Sequence, residues 1–163
     1  MSDPLTAQIT ALLGRYPEGM QEVAVWNNAQ QPSVLRVASL VKDKPFPTLF
    51  WLIDQQLNYQ IDQLEAQGHI AQLQSLIDHD PLAQAQMRLD HQRHINLRNH
   101  YMSPDIKQRL TQLGFYAILQ KRGIGGIAKP TQVRCLHTYY AAHLVEPNFV
   151  GRWVDERLSE ALL

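Results

Sequence analysis

Hydrophobic and polar positions repeat with two periods along this chain, and the change between them divides it. Leu5, Ile9, Leu12 and Leu13 recur at helical spacing, so a helix is predicted over residues 4–13, with Gly14 to end it. Three β-like runs follow at 23–26, 34–37 and 46–52. The linkers between them are rich in Asn, Pro, Lys and Asp. That pattern predicts a small antiparallel three-stranded meander, with Pro47 at a strand start or an edge.

After Asp54 the period becomes 3.6. Leu57, Ile61 and Leu64 form a stripe between an N-capping Asp54 and Gly68. A second short helix covers about 69–77. Asp80-Pro81 opens a long helix to about Tyr101, and Ser103-Pro104 opens another that Gly114 closes. Residues 115–119 are apolar and read either as a fourth strand or as a helical extension. Residues 131–145 place Val133, Leu136, Tyr140 and Leu144 on one face of a last helix. Strands first and helices afterwards define an α+β class, here as one domain over residues 1–163.

Composition narrows the function classes. Fifteen basic and fifteen acidic residues balance, which argues against coating nucleic acid and leaves room for a local basic patch. Six cations and no acid lie between Lys107 and Arg134, a polarity suited to a focused anionic ligand. A single cysteine forms no internal disulfide and points to a reducing compartment. The opening Met1-Ser2-Asp3-Pro4 does not begin a signal peptide, and the longest strongly apolar run, 48–53, is far short of a bilayer span. A cytoplasmic protein without membrane attachment is therefore expected.

The densest chemistry lies at 121–137, where three glycines, four cations, Cys135 and His137 occur without an acidic residue. Glycines let a backbone turn its N–H groups toward an anion, and a helix start adds further free N–H groups. The segment lacks the Walker spacing and the dinucleotide fingerprint. The expectation is a pocket in which Arg122, Gly123, Gly125, Gly126 and Arg134 bind a phosphate- or carboxylate-bearing small molecule, with His143, Arg93 and Arg98 as further ligands. The competing reading is a tight connection whose glycines only satisfy backbone angles.

His137 is the candidate acid–base residue and Cys135 the candidate thiol. On a regular helix the two would lie about 200° apart, so a direct pair is not expected. Cys135 also fits a small buried packing residue. His91 and His94 stand at i and i+3, but zinc would need a third ligand such as His137 or His143. With no His-Glu-x-x-His or Cys-x-x-Cys pair, no metal site is assigned. No cofactor is identified. The alternative to a ligand pocket is an interaction module or homo-oligomer built on the meander edge and Trp51.

Three segments together resemble one family: Phe46-Pro47-Thr48-Leu49-Phe50-Trp51-Leu52; Gly123-Ile124-Gly125-Gly126; and Cys135-Leu136-His137 through His143, followed by Asn148-Phe149-Val150-Gly151. The chain is similar to the bacterial domain-of-unknown-function family 501, with Phe149 where that family carries proline. The resemblance implies recurrent positions at Thr48, Trp51, Gly125, Gly126, Cys135, His137, His143, Asn148 and Gly151. It implies no activity.

Overall fold

The computed structural model describes residues 3–161. It is α+β, with a three-stranded antiparallel sheet, a two-stranded hairpin and eight α-helices among the described residues. Helix α1 (Pro4–Leu13) starts at Asp3, whose carboxylate accepts the Thr6 N–H at 2.9 Å, and ends on Gly14 at φ 80°. Strands β1 (Met20–Trp26) and β2 (Pro32–Val37) pair in antiparallel fashion. The chain next forms a small hairpin, β3 (Leu40–Val41) and β4 (Lys44–Pro45), before β5 (Phe50–Leu52) pairs with β2.

The sequence pattern predicts a third strand over 46–52, but only its last three residues pair. The linker expected at 39–45 is the hairpin, turned at Lys42 and Asp43 with φ of 51° and 61°. Residues 115–119 are not a fourth strand: α6 (Tyr116–Leu119) is one helical turn.

The helices from Asp54 onward follow their caps. Asp54 accepts the Leu57 N–H at the start of α2 (Gln55–Ala66), and Gly68 separates it from α3 (His69–Asp78). Asp80 and Ser103 cap α4 (Pro81–Tyr101) and α5 (Pro104–Gln112), each with proline in the first turn. A one-turn 3-10 helix (Ile124–Gly126) precedes α7 (Leu136–Val145). The helix expected from residue 131 therefore begins at 136. Gln74 of α3 ties down the intervening non-helical segment, donating to Thr131 O at 2.9 Å and accepting the Val133 N–H at 2.8 Å. Helix α8 (Phe149–Ala161) was not among the predicted elements.

The main core lies between sheet and helices, with Val34, Phe50, Ile61, Met87, Leu136 and Val154 buried in it; Ile9, Leu35 and Ile53 form a smaller cluster under α1. Helix α7 is central: it packs against β5, α2, α8 and the 3-10 turn. Its N-terminal end therefore emerges beside α2, and that placement builds the site.

Candidate functional site: a thiol–imidazole–carboxylate centre

Cys135 is the N-cap of α7, with φ −149° and ψ 132°. It is extended and outside the helix, so the helical-wheel angle between it and His137 does not apply. The expectation that the two face apart is overturned: Cys135 Sγ lies 3.5 Å from His137 Nδ1. Two carboxylates from α2 complete the group. Glu65 Oε1 is 3.0 Å from the same Nδ1, and Asp62 Oδ1 is 2.8 Å from Nε2. Glu65 Oε1 also accepts the Leu136 N–H at 3.0 Å. It thereby takes the capping role that the Cys135 side chain leaves open.

The electrostatics follow from this arrangement. The hydrogen bond to Cys135, with the thiolate, Glu65 and Asp62 charges, outweighs desolvation and raises the His137 imidazole to about 9. Burial of Cys135 opposes its ionisation. The hydrogen bonds from His137 and the Thr138 N–H outweigh burial, and the thiol titrates below its ordinary value. Each group thus favours the charged form of the other: the imidazolium lowers the thiol, and the thiolate raises the imidazole. Cys135 is part-exposed, and the His137 and Glu65 side chains retain 23% and 26% of their accessible surface, so a small molecule reaches them from solvent.

The anion nest expected at the glycines is not formed by the loop amides. Four of the five N–H groups of residues 123–127 are already bonded: Gly123 to Ile127 O, Ile124 to His91 Nδ1, Gly126 to Gly123 O and Ile127 to Ile124 O. The glycines answer to close packing and backbone angle. A Cβ on Gly123 would collide with the His91 ring. Gly125, at φ +68°, lies against Thr138 of α7, and Gly126, at φ +73°, lies against Pro47. His137 faces α2 rather than this loop.

The remaining expected ligands are placed apart. Arg98 is fully buried, and its guanidinium donates to the carbonyls of Leu119, Arg122, Pro47 and Gly123 at 2.7–3.2 Å. It stitches α4 to the glycine loop and is not open to an anion. Arg93 is engaged by Asp90, Glu146 and Pro147 O. His143 is buried. Its Nδ1 accepts the Asn148 N–H, so the ring proton lies on Nε2 and donates to Asp155 at 2.7 Å. Arg134 is exposed. Arg122 and Gly126 line a hollow of about 240 Å³ with Pro47, Phe115 and Ile118.

The paired histidines of α4 point inward and apart from this centre. His91 Nδ1 accepts the Ile124 N–H, its Nε2–H donates to Tyr139 Oη at 2.8 Å, and Tyr139 donates to Gln132 O. His94 packs edge-on against Phe50. Sequence reasoning missed Asp62 and Glu65. Their only local signal is an acidic pair one turn apart on α2, which reads as ordinary solvated surface until α7 is placed beside it.

Fold and site together define a small α+β protein with a thiol–imidazole–carboxylate centre where two helices meet. The chain belongs to the family described as "Protein of unknown function (DUF501)", which it matches over residues 23–156. No curated protein and no solved structure gives a significant match. Among the described residues, no helix is long and apolar enough to cross a membrane.

Proposed function

We propose that the protein acts through Cys135 as a nucleophile toward a small carbon electrophile, with His137 as acid–base partner and Asp62 orienting the ring. The observation that carries this reading is the line from Cys135 Sγ to His137 Nδ1 at 3.5 Å and from His137 Nε2 to Asp62 Oδ1 at 2.8 Å. A nucleophile, a base within reach and a third group that fixes the base are the parts such chemistry needs. For an acyl donor, Sγ bonds to the carbonyl carbon and the leaving group departs with the proton from Nδ1. Neutral Nδ1 then takes a proton from water as the water oxygen attacks the thioester carbon. Acid is released, and the thiolate–imidazolium pair is restored.

The test uses 4-nitrophenyl acetate as acyl donor. One equivalent of nitrophenolate should appear in a burst, with one acetyl group on Cys135 by intact mass and peptide mapping. Cys135→Ser should show neither. Acetylation confined to lysines, with the burst unchanged in Cys135→Ser, removes this reading.

A second reading keeps the anionic ligand but moves it. The hollow at Arg122 and Gly126 is walled by Pro47, Phe115 and Ile118. Such a hollow suits a carboxylate or phosphate carried on an apolar body, with Arg122 as its counter-charge. A rise in melting temperature with an aliphatic carboxylate, lost in Arg122→Ala, would support it.

A further inference from the structure

The nucleophile reading uses Cys135, His137 and Asp62 but leaves Glu65 Oε1 without a chemical role. Yet Glu65 Oε1, Cys135 Sγ and a His137 ring nitrogen all lie within 4.8 Å of one another. One ring atom, Nδ1, faces both the sulfur at 3.5 Å and the carboxylate oxygen at 3.0 Å. A proton on Nδ1 must divide itself between the sulfur and the carboxylate oxygen. A cation set among the three atoms would engage all of them.

The spacing suits a tetrahedral ion. With metal–sulfur bonds of about 2.3 Å and metal–nitrogen bonds of about 2.0 Å, the sulfur–nitrogen edge of a regular tetrahedron is about 3.5 Å. A nitrogen–oxygen edge built from bonds of about 2.0 Å each is about 3.3 Å. The observed 3.5 and 3.0 Å fall close to these edges. The outer shell is also present: His137 turns its other nitrogen to Asp62 at 2.8 Å. A ring N–H held by a carboxylate is the usual support of a metal-bound imidazole, fixing its tautomer and raising its basicity.

We infer that Glu65 Oε1, Cys135 Sγ and His137 Nδ1 form a three-ligand seat for a thiophilic divalent cation of the zinc type, with Asp62 orienting the histidine and a fourth position facing solvent. Mixed thiolate, imidazole and carboxylate donors favour zinc and its neighbours over magnesium or calcium, which take oxygen ligands. Binding displaces the Nδ1 proton into solvent and places the Cys135 electron pair on the metal. The ion thereby masks the nucleophile. The inference rests on the preceding one in that both require Cys135 and His137 to act as a unit, and the metal is the regulator of that unit.

The experiment uses full-length, untagged protein freed of metal by chelation and titrated with Zn²⁺ and, separately, with Co²⁺. One equivalent of Co²⁺ should produce a thiolate-to-cobalt charge-transfer band that is missing in Cys135→Ser. Zn²⁺ should bind with the same stoichiometry and slow iodoacetamide alkylation of Cys135 at least tenfold. Glu65→Gln should weaken Zn²⁺ binding at least tenfold, and Asp62→Asn should weaken it about 10–100-fold, the usual effect of losing an outer-shell partner. Circular dichroism of each variant checks that it is folded.

Absence of the charge-transfer band in folded wild-type protein overturns the seat. So does Zn²⁺ binding that is unchanged in Cys135→Ser, because the metal would then lie elsewhere. Alkylation and acetylation of the metal-free protein report on the nucleophile separately. A thiol that reacts quickly but is not protected by Zn²⁺ refutes only the metal seat. A thiol that is sluggish without metal refutes the nucleophile.

Discussion

Glu65 Oε1 accepts the N–H of Leu136 at 3.0 Å across 71 residues of sequence, joining α2 to the first turn of α7. The same oxygen touches the His137 ring, so one carboxylate both caps a helix and sets the position of the site's central residue. Removing it should cost stability and geometry together. Glu65→Ala is expected to lower stability by about 1 kcal/mol, the usual cost of a lost cap. Urea denaturation gives the number. A nitrogen-15 correlation spectrum should show the Leu136 and His137 amides shifting while those of α1 stay in place.

Arg98 ties α4 to the glycine loop. It is fully buried and donates to four backbone carbonyls that have no other side-chain donor in this group. Burial pulls its guanidinium down to about 10, and it stays charged at neutral pH. Arg98→Met should destabilise the fold by about 3 kcal/mol, because the Arg122 and Pro47 carbonyls lose their donor while those of Leu119 and Gly123 keep only a backbone N–H. Arg98→Lys should not rescue it, since an ammonium cannot span a fork of four acceptors. Urea midpoints for both variants check this.

Two glycines should refuse any side chain for steric reasons. A Cβ on Gly123 would strike His91, and one on Gly151 would strike His143. Gly151→Ala should therefore disturb the His143–Asp155 pair and cost more than about 1 kcal/mol, whereas Gly114→Ala meets no neighbour and carries only the strain of its φ of 80°. Thermal melts of the two variants side by side should show the larger drop for Gly151→Ala.

The buried histidines set an acid limit. Desolvation, partly offset by Asp90, lowers His91 to about 4. Desolvation, helped by Arg98 and His91, lowers His94 to about 3. Both folded values lie below the unfolded value of about 6.5, so the unfolded chain binds more protons as pH falls. Their contribution is complete above about pH 6.5. It falls as pH drops toward those values, by at most about 1.4 kcal/mol per unit for each histidine. The urea midpoint should decline between pH 7 and 5, before most carboxylates titrate. His94→Leu should flatten that decline.

Much of the architecture was legible because caps are local. Asp54, Asp80-Pro81 and Ser103-Pro104 each open a helix where the sequence predicts one. Helix α7 begins five residues later than the sequence pattern predicts, since the Gln74 clamp that holds 131–133 out of the helix comes from a distant helix. Cys135 and His137 were legible as reactive residue types. Their contact was not, because it depends on Cys135 lying just outside the helix. Asp62 and Glu65 were silent: nothing local distinguishes them from the glutamine-rich surface of α2. The glycine loop carried a strong compositional signal for an anion, but its amides turned out to serve the fold.

The rate of Cys135 alkylation by iodoacetamide at pH 7, in metal-free protein, tests the central claim that Cys135 and His137 form one reactive unit. Folded wild-type protein should react at least tenfold faster than the same chain unfolded in guanidinium, and folded His137→Ala should lose that advantage. Equal rates in folded wild type and folded His137→Ala would contradict it and leave Cys135 as an ordinary part-exposed thiol.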